Sequence, residues 1–187
     1  MLGDHHPSTL ASISNLAGLL QEIGQLEEAR PLCEEALKAQ RATQGDGHKD
    51  TLTSISSLGL LLKAMGKLEE ARPLCEEALE GGRATLGDRD RDTLIWINNL
   101  GELLKDMGRP EEARPLCEEA TEGFRATLGD RHQHTLGSIH NDAELLKSLG
   151  NLDEARLLFE EALEGATETL GEAHPRTQIF KQSLASV

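Results

Sequence analysis

Between residues 10 and 23 the apolar side chains Leu10, Ile13, Leu16, Ala17, Leu20 and Ile23 fall three and four positions apart, which sets them along one face of an α-helix. Gly24 closes that stretch, as glycine does at helix C-termini. Leu26, Ala29, Leu32, Cys33, Ala36 and Leu37 then give a second helix its own apolar side. So short a connection makes the two helices antiparallel neighbours. The pattern recurs: GQLEEARPLCEEAL at 24–37 returns as GKLEEARPLCEEAL at 66–79, GRPEEARPLCEEAT at 108–121 and GNLDEARLLFEEAL at 150–163. Each copy begins 42 residues after the last, at 24, 66, 108 and 150. A period of this size means one helical pair stacked on copies of itself, each burying its apolar face against its neighbours. The expected fold is all-α, a solenoid of antiparallel helix pairs. MLGDHHPS at 1–8 matches LGEAHPRT at 170–177, so residues 1–8 are expected to be the tail of a preceding repeat. Four repeats follow, over 9–50, 51–92, 93–134 and 135–176, with a terminal capping helix over 177–187.

Thr9, Thr51, Thr93, Thr135 and Thr177 mark the starts of the first helices, behind loops of Gly, Asp, His and Pro that suit N-capping. Three features break the regularity. Pro31, Pro73 and Pro115 fall inside the second helix, where proline removes a backbone hydrogen bond and usually kinks the helix; the fourth copy has Leu157 instead. Gly81, Gly82, Gly123 and Gly165 lie near the end of that helix, each costing about 1 kcal/mol relative to alanine. They mark either fraying or a close approach of helices. Asp142 takes the place of Leu16, Leu58 and Leu100, all expected to face inward. An unpaired buried carboxylate is costly, so Asp142 is expected to be exposed or paired with Lys181, unless the last repeat has lost its pattern.

Charge narrows the partners. The net charge of −14, from 33 acidic against 19 basic residues, argues against nucleic acid and against an anionic membrane surface, since both select for Lys and Arg. Glu27, Glu28, Glu34 and Glu35 recur as Glu69, Glu70, Glu76 and Glu77, a periodic row that reads as a solvated outer helix face. The leading pair also suits a helix N-terminus. The aromatics are Trp96, Phe124, Phe159 and Phe180, so the core must be built of Leu, Ile and Ala. Cys33, Cys75 and Cys117 share one repeat position with Phe159, a packing site. Stacked helices lie ~8–10 Å apart, beyond the ~7 Å Cα limit for a disulfide. The thiols are therefore expected to be free and the compartment reducing, that is, cytoplasmic. No apolar run approaches a membrane span, and no signal peptide precedes the first repeat.

The small residues Ala17, Gly59, Gly101 and Ala143, followed by Ala29, Ala71, Ala113 and Ala155 and then by Ala36, Ala78, Ala120 and Ala162, resemble those of a tetratricopeptide repeat, a 34-residue helix–turn–helix. Eight added residues per copy, with loops such as LGDHHPST and LGEAHPRT, make the copies similar to the longer repeats of kinesin light chains. SNLAGLLQEIGQLEEARPLCEEAL and NNLGELLKDMGRPEEARPLCEEA carry the resemblance most closely. It implies a right-handed superhelix and a protein-interaction array that binds cargo or other partners. Similar repeats also occur in bacterial and protist arrays and behind signalling nucleotide-binding domains, which makes a partner-sensing part of a larger signalling protein a second implication.

In such a stack the first helices line the concave surface. The face opposite their core-facing set carries Ala11, Ser14, Gly18 and Gln21 in copy one, then Thr53, Ser56, Leu60 and Lys63. Copy three gives Ile95, Asn98, Glu102 and Lys105, and copy four Gly137, His140, Glu144 and Lys147. Lys63, Lys105 and Lys147 form a ladder at the repeat spacing on an otherwise acidic chain, with Leu60 and Ile95 beside them and Trp96 near the edge. This pattern suits an extended acidic peptide with one hydrophobic anchor, its backbone held by the Asn98 amide. The resemblance implies that asparagines matching the family's N-N-L motif hold the peptide too. Asn98 and Asn99 match both, Asn15 and Asn141 only the second, and copy two has Ser56 and Ser57. The asparagine row can equally bond one helix to the next. Self-stacking through uncapped terminal repeats is the alternative role.

Signals for chemistry are weak. His6, His48, His132 and His174 share one loop position that Asp90 interrupts; at ~2 Å metal bonds, neighbouring copies are too far apart to share an ion. Loop capping is the expected use. No phosphate loop, nucleophile elbow or zinc-type Cys–His spacing occurs, so neither catalysis nor a cofactor is expected.

Overall fold

The computed structural model describes residues 7–187, apart from the side chains of Pro7, Ser8, Ala11 and Ser14. The expected preceding tail therefore lies outside the described residues except for its last two, as does His6. The described residues form helices α1 (Pro7–Glu22), α2 (Leu26–Gln44), α3 (Lys49–Ala64), α4 (Leu68–Thr85), α5 (Arg91–Asp106), α6 (Pro110–Leu128), α7 (Gln133–Ser148), α8 (Leu152–Leu170) and α9 (Pro175–Leu184), with no strand among them.

The first helices begin two residues before the threonines expected to mark them. Their caps are His48, His132 and His174, whose Nδ1 accepts from the N–H two residues on, at 3.2 Å in each case. Asp90 does the same with a carboxylate oxygen at 2.8 Å from the Asp92 N–H. The break in the histidine row is thus no break in function: either side chain satisfies one of the N-terminal donors that a helix leaves open. The threonines lie inside the helix, and Thr51, Thr93, Thr135 and Thr177 are buried. The hairpin between first and second helices closes on a glycine in the left-handed region, such as Gly66 at φ +74°. There Gly66 N–H bonds to Lys63 O and Lys67 N–H to Leu62 O, both at 2.9 Å, the paired bonds that end a helix at glycine. Pro31, Pro73 and Pro115 sit within continuous α2, α4 and α6 at exposed positions, where water can satisfy the carbonyl each proline leaves unpaired.

The chain divides into two compact units, Met1–Asn99 and Leu100–Val187. In the first, α1 packs on α2, α2 on α3 and α3 on α4, around Leu52, Ile55, Leu61, Ala71 and Ala78. Gly81 and Gly82 are close-approach sites rather than frayed ends. A Cβ on Gly81 would lie 2.3 Å from a methyl of Leu52, and one on Gly82 2.6 Å from the Trp96 ring. Trp96 is accordingly buried and not at a groove edge. Leu16 also departs from expectation: it is 49% exposed, whereas Leu58 and Leu100 at the same repeat position are buried. Leu19 and Ile23 on α1 are exposed as well, at 59% and 68%.

In the second unit α6 packs on α7, α7 on α8 and α8 on α9. Leu136, Ile139, Ala162, Ala166 and Phe180 form one core cluster, and Ala143, Ala155 and Phe159 another. Gly165 leaves room for Leu136, 2.4 Å from where its Cβ would stand. Asp142 is neither exposed nor paired with Lys181. It is 8% exposed and hydrogen-bonded to Thr121, whose hydroxyl also meets Ser138 Oγ at 2.6 Å. Polar residues at 121 and 138 surround a carboxyl where the second and third copies bury Leu58 and Leu100.

Candidate functional site

The positions expected to meet a partner fall on the first helices. Lys63, Lys105 and Lys147 each occupy the last turn of α3, α5 and α7, where the helix dipole favours a cation. All three are half-buried, as expected for stems laid along apolar surface with the charge in water. Lys63 lies near the Cys75 thiol and Lys105 near that of Cys117, and each opposes the rise in thiol pKa that burial causes. Burial wins, holding Cys75 at about 11 and Cys117 at about 12. Burial raises Cys33 too. The three thiols are free, buried and protonated, so they act as packing groups. Gly59 and Gly101 provide the space for Cys75 and Cys117, with Sγ at 2.9 and 2.6 Å from the Cβ each glycine lacks.

Leu60, Ile95 and Asn98 are half-buried, while other predicted residues serve the fold directly. Asn99 donates from Nδ2 to Ser56 Oγ at 3.4 Å, linking α5 to α3. In the second unit Asn141 donates to Glu102, linking α7 to α5. Asn99 and Asn141 thus each tie one first helix to the one before it. His140 stacks on Phe180 at 4.5 Å and meets Phe159 edge-on at 5.4 Å, while its Nε2 shares a 2.9 Å hydrogen bond with Ser183 Oγ. Burial lowers its pKa, so the ring is neutral and fastens α9. Lys147 reaches the same helix end, donating to Ser186 Oγ at 2.6 Å. Gln21 reaches Cys33, with Nε2 3.8 Å from Sγ.

A family model for the tetratricopeptide repeat matches residues 8–84, 50–126 and 92–168. The chain belongs to the tetratricopeptide repeat family. Among solved structures it is similar to the nearly identical TPR-like repeats of a Podosopora anserina protein assigned as a kinesin light chain. The two are 29% identical over 97% of this chain and 86% of that one, with a TM-score of 0.81. A variant of that protein gives 27% identity, 100% and 87% coverage and a TM-score of 0.82. BtubC (BKLC) from P. vanneervenii shares the fold at 24% identity, 96% and 71% coverage and a TM-score of 0.81. Comparison with curated proteins finds no match. The fold is therefore an all-α solenoid of antiparallel tetratricopeptide helix pairs.

The outer row of this tetratricopeptide array is more than a solvated acidic face. Arg30, Arg72 and Arg114 pair with Glu34, Glu76 and Glu118 one turn on, at 2.7, 2.6 and 2.8 Å. Arg41 reaches Glu77 at 2.6 Å and Arg125 reaches Glu161 at 2.7 Å, tying α2 to α4 and α6 to α8. Exposed pairs of this kind contribute ~0–1 kcal/mol each, so they set register more than stability. The Arg–Glu spacing of four in the repeated motif was the signal for the first set. Among the described residues no group of three or more His, Cys, Asp or Glu is placed to hold a metal ion, and no helix is long and apolar enough to cross a membrane.

Proposed function

We propose that this array is a non-catalytic scaffold that binds an extended acidic peptide, with an apolar anchor, along its first helices. One observation carries the reading. On a chain of net charge −14, α3, α5 and α7 bear half-buried lysines at the same register position, Lys63, Lys105 and Lys147. Leu60 and Ile95 supply apolar contact, Gln21 and Asn98 polar contact; Asn99 and His140 support the face from beneath. Tetratricopeptide repeats generally serve as protein-binding scaffolds, and the assignment of the Podosopora anserina relative as a kinesin light chain agrees with a partner-binding role. Buried, protonated cysteines suit a cytoplasmic site of action. Replacing all three lysines by glutamate should weaken an acidic peptide at least about tenfold, equivalent to ~1.4 kcal/mol, with helicity by circular dichroism unchanged. Unchanged affinity rejects the assignment.

A second role rests on α1. Leu19 is exposed there, whereas Leu61, Leu103 and Leu145 at the same repeat position are buried, so this face has the composition of an inter-repeat contact. A second copy stacking on it would make the array an assembly module.

A further inference from the structure

The last helix is fastened through one titratable ring. His140 of α7 stacks on Phe180 of α9 at 4.5 Å and meets Phe159 of α8 edge-on at 5.4 Å. Its Nε2 shares a 2.9 Å hydrogen bond with Ser183 Oγ of α9, and its side chain is 13% exposed. Phe180 is buried in one core cluster, while Leu184 and Val187 are half-buried against Phe159 in the other. Two further ties to α7, from Lys147 to Ser186 and from Arg176 to the Gln133 carbonyl, are exposed, and such bonds add little where water competes. With ten residues, α9 is too short to hold a helix unaided in water, so its order depends on docking. The equivalents of His140 are Ser14, Ser56 and Asn98, none of which titrates near neutrality. The repeat position carries a histidine where the short helix has to be held.

The surroundings of the ring decide which protonation state docks. On α7, Glu144 Oε1 lies 3.9 Å from Nε2 and favours the cation, as do Asn141 beside it and Glu102 on α5, while Lys105 on α5 opposes it. The sides facing α8 and α9 meet Phe159, Phe180 and Ser183. Burial outweighs the carboxylates, so the docked ring prefers to be neutral. We propose that α9 is a proton-released cap: the neutral His140 ring holds it against α7 and α8, and protonation of that ring in mild acid undocks the helix. Undocking uncovers Phe159 on α8 and frees Lys147 from Ser186. A ring that binds its proton more tightly once α9 has left favours the undocked state as pH falls. Docking is therefore at full strength above the ordinary histidine value near 6.5 and weakens below it. At about pH 5.5, one unit below that value, linkage limits the weakening to about tenfold. Asp142, two residues along α7, titrates with the opposite sign and bonds to Thr121 of α6, on another face of the helix. The cap stands whether or not the lysine row binds peptide.

Amide hydrogen exchange in the whole ¹⁵N-labelled chain, corrected for intrinsic rates, reads the docking of α9 directly. It is measured near pH 7.5 and near pH 5.5, and the His140 ring is titrated by its own resonances in the same samples. The expected result is that protection of the α9 amides, taken relative to those of α6, falls about three- to tenfold in acid. The fall should follow the titration of His140, with a midpoint below 6.5. His140→Phe keeps a ring against Phe180 but cannot titrate, so its α9 protection should be the same at both pH values. His140→Gln, uncharged and smaller, makes the same test if the phenylalanine does not pack. Equal α9 protection at the two pH values in the unaltered chain would overturn the proposal. So would a His140 pKa at or above 6.5, which would mean that Glu144 and Glu102 hold the cation in place, or a pH dependence of α9 that persists in either folded variant.

Discussion

At the scale of single residues, Asp142 is where the chain departs furthest from its own pattern. Burial pushes its carboxyl up to about 6; the Thr121 hydrogen bond opposes the shift, as does the more distant Arg125, while Glu118 reinforces it. A folded state that keeps a proton the unfolded chain has released loses stability as pH rises. The contribution is fully present below the ordinary aspartate range near pH 4 and is lost through about pH 6. The resulting penalty at pH 7 is on the order of 3 kcal/mol. Asp142→Leu, which restores the residue type of Leu58 and Leu100, should therefore stabilise the protein at pH 7 by ~2–3 kcal/mol in urea denaturation. Asp142→Asn should remove most of the stability change between pH 4 and 7. A slope that survives in Asp142→Asn would place the titrating group elsewhere. The residue's oddity was plain from its column, but its environment was not. Ser138 lies one turn before Asp142 on α7, but Thr121 comes from α6, and nothing in a linear pattern reports that it converges on them.

At the scale of elements, glycines separate into two kinds that sequence alone could not distinguish. Gly82 has the Trp96 ring where a Cβ would stand, while Gly137, in α7, has nothing within 4 Å. Alanine improves helix propensity by ~1 kcal/mol at either, but overpacking a well-filled contact costs ~1–3 kcal/mol. Gly137→Ala should raise the unfolding free energy by ~0.5–1 kcal/mol, and Gly82→Ala should lower it, by up to ~2 kcal/mol, unless Trp96 is also cut back. Thermal melts of the two variants in opposite directions are the expected outcome; a stabilised Gly82→Ala would mean that the α4–α5 contact is looser than described. Helix existence and pairing were legible because the 3.6-residue period and the hairpin glycines are local signals. Packing partners such as Gly82 and Trp96 were not, since complementarity of size only has meaning once two elements are in contact. The histidine caps stood between these cases: their loop position was visible, but their equivalence with Asp90 needed the geometry of the turn.

At the scale of the whole molecule, repetition makes one sequence serve both folding and recognition. Side chains needed for stacking recur in every copy, as with Ala29, Ala71, Ala113 and Ala155, all fully buried. Side chains free to vary between copies are those that can distinguish partners. The exposed apolar face of α1 gives this scale its own prediction. If copies stack through it, the mass measured by light scattering should rise with concentration, and Leu19→Lys with Ile23→Lys should hold the chain as a monomer. A concentration-independent monomer in the unaltered protein would end the assembly role. The partner-binding account is tested most directly by adding an acidic peptide with one hydrophobic residue to ¹⁵N-labelled protein and mapping the amide shifts at low and high salt. The account predicts shifts in α3, α5 and α7 around Lys63, Lys105 and Lys147 that shrink as salt screens the lysines. Shifts confined to the second helices, or unaffected by salt, would contradict it.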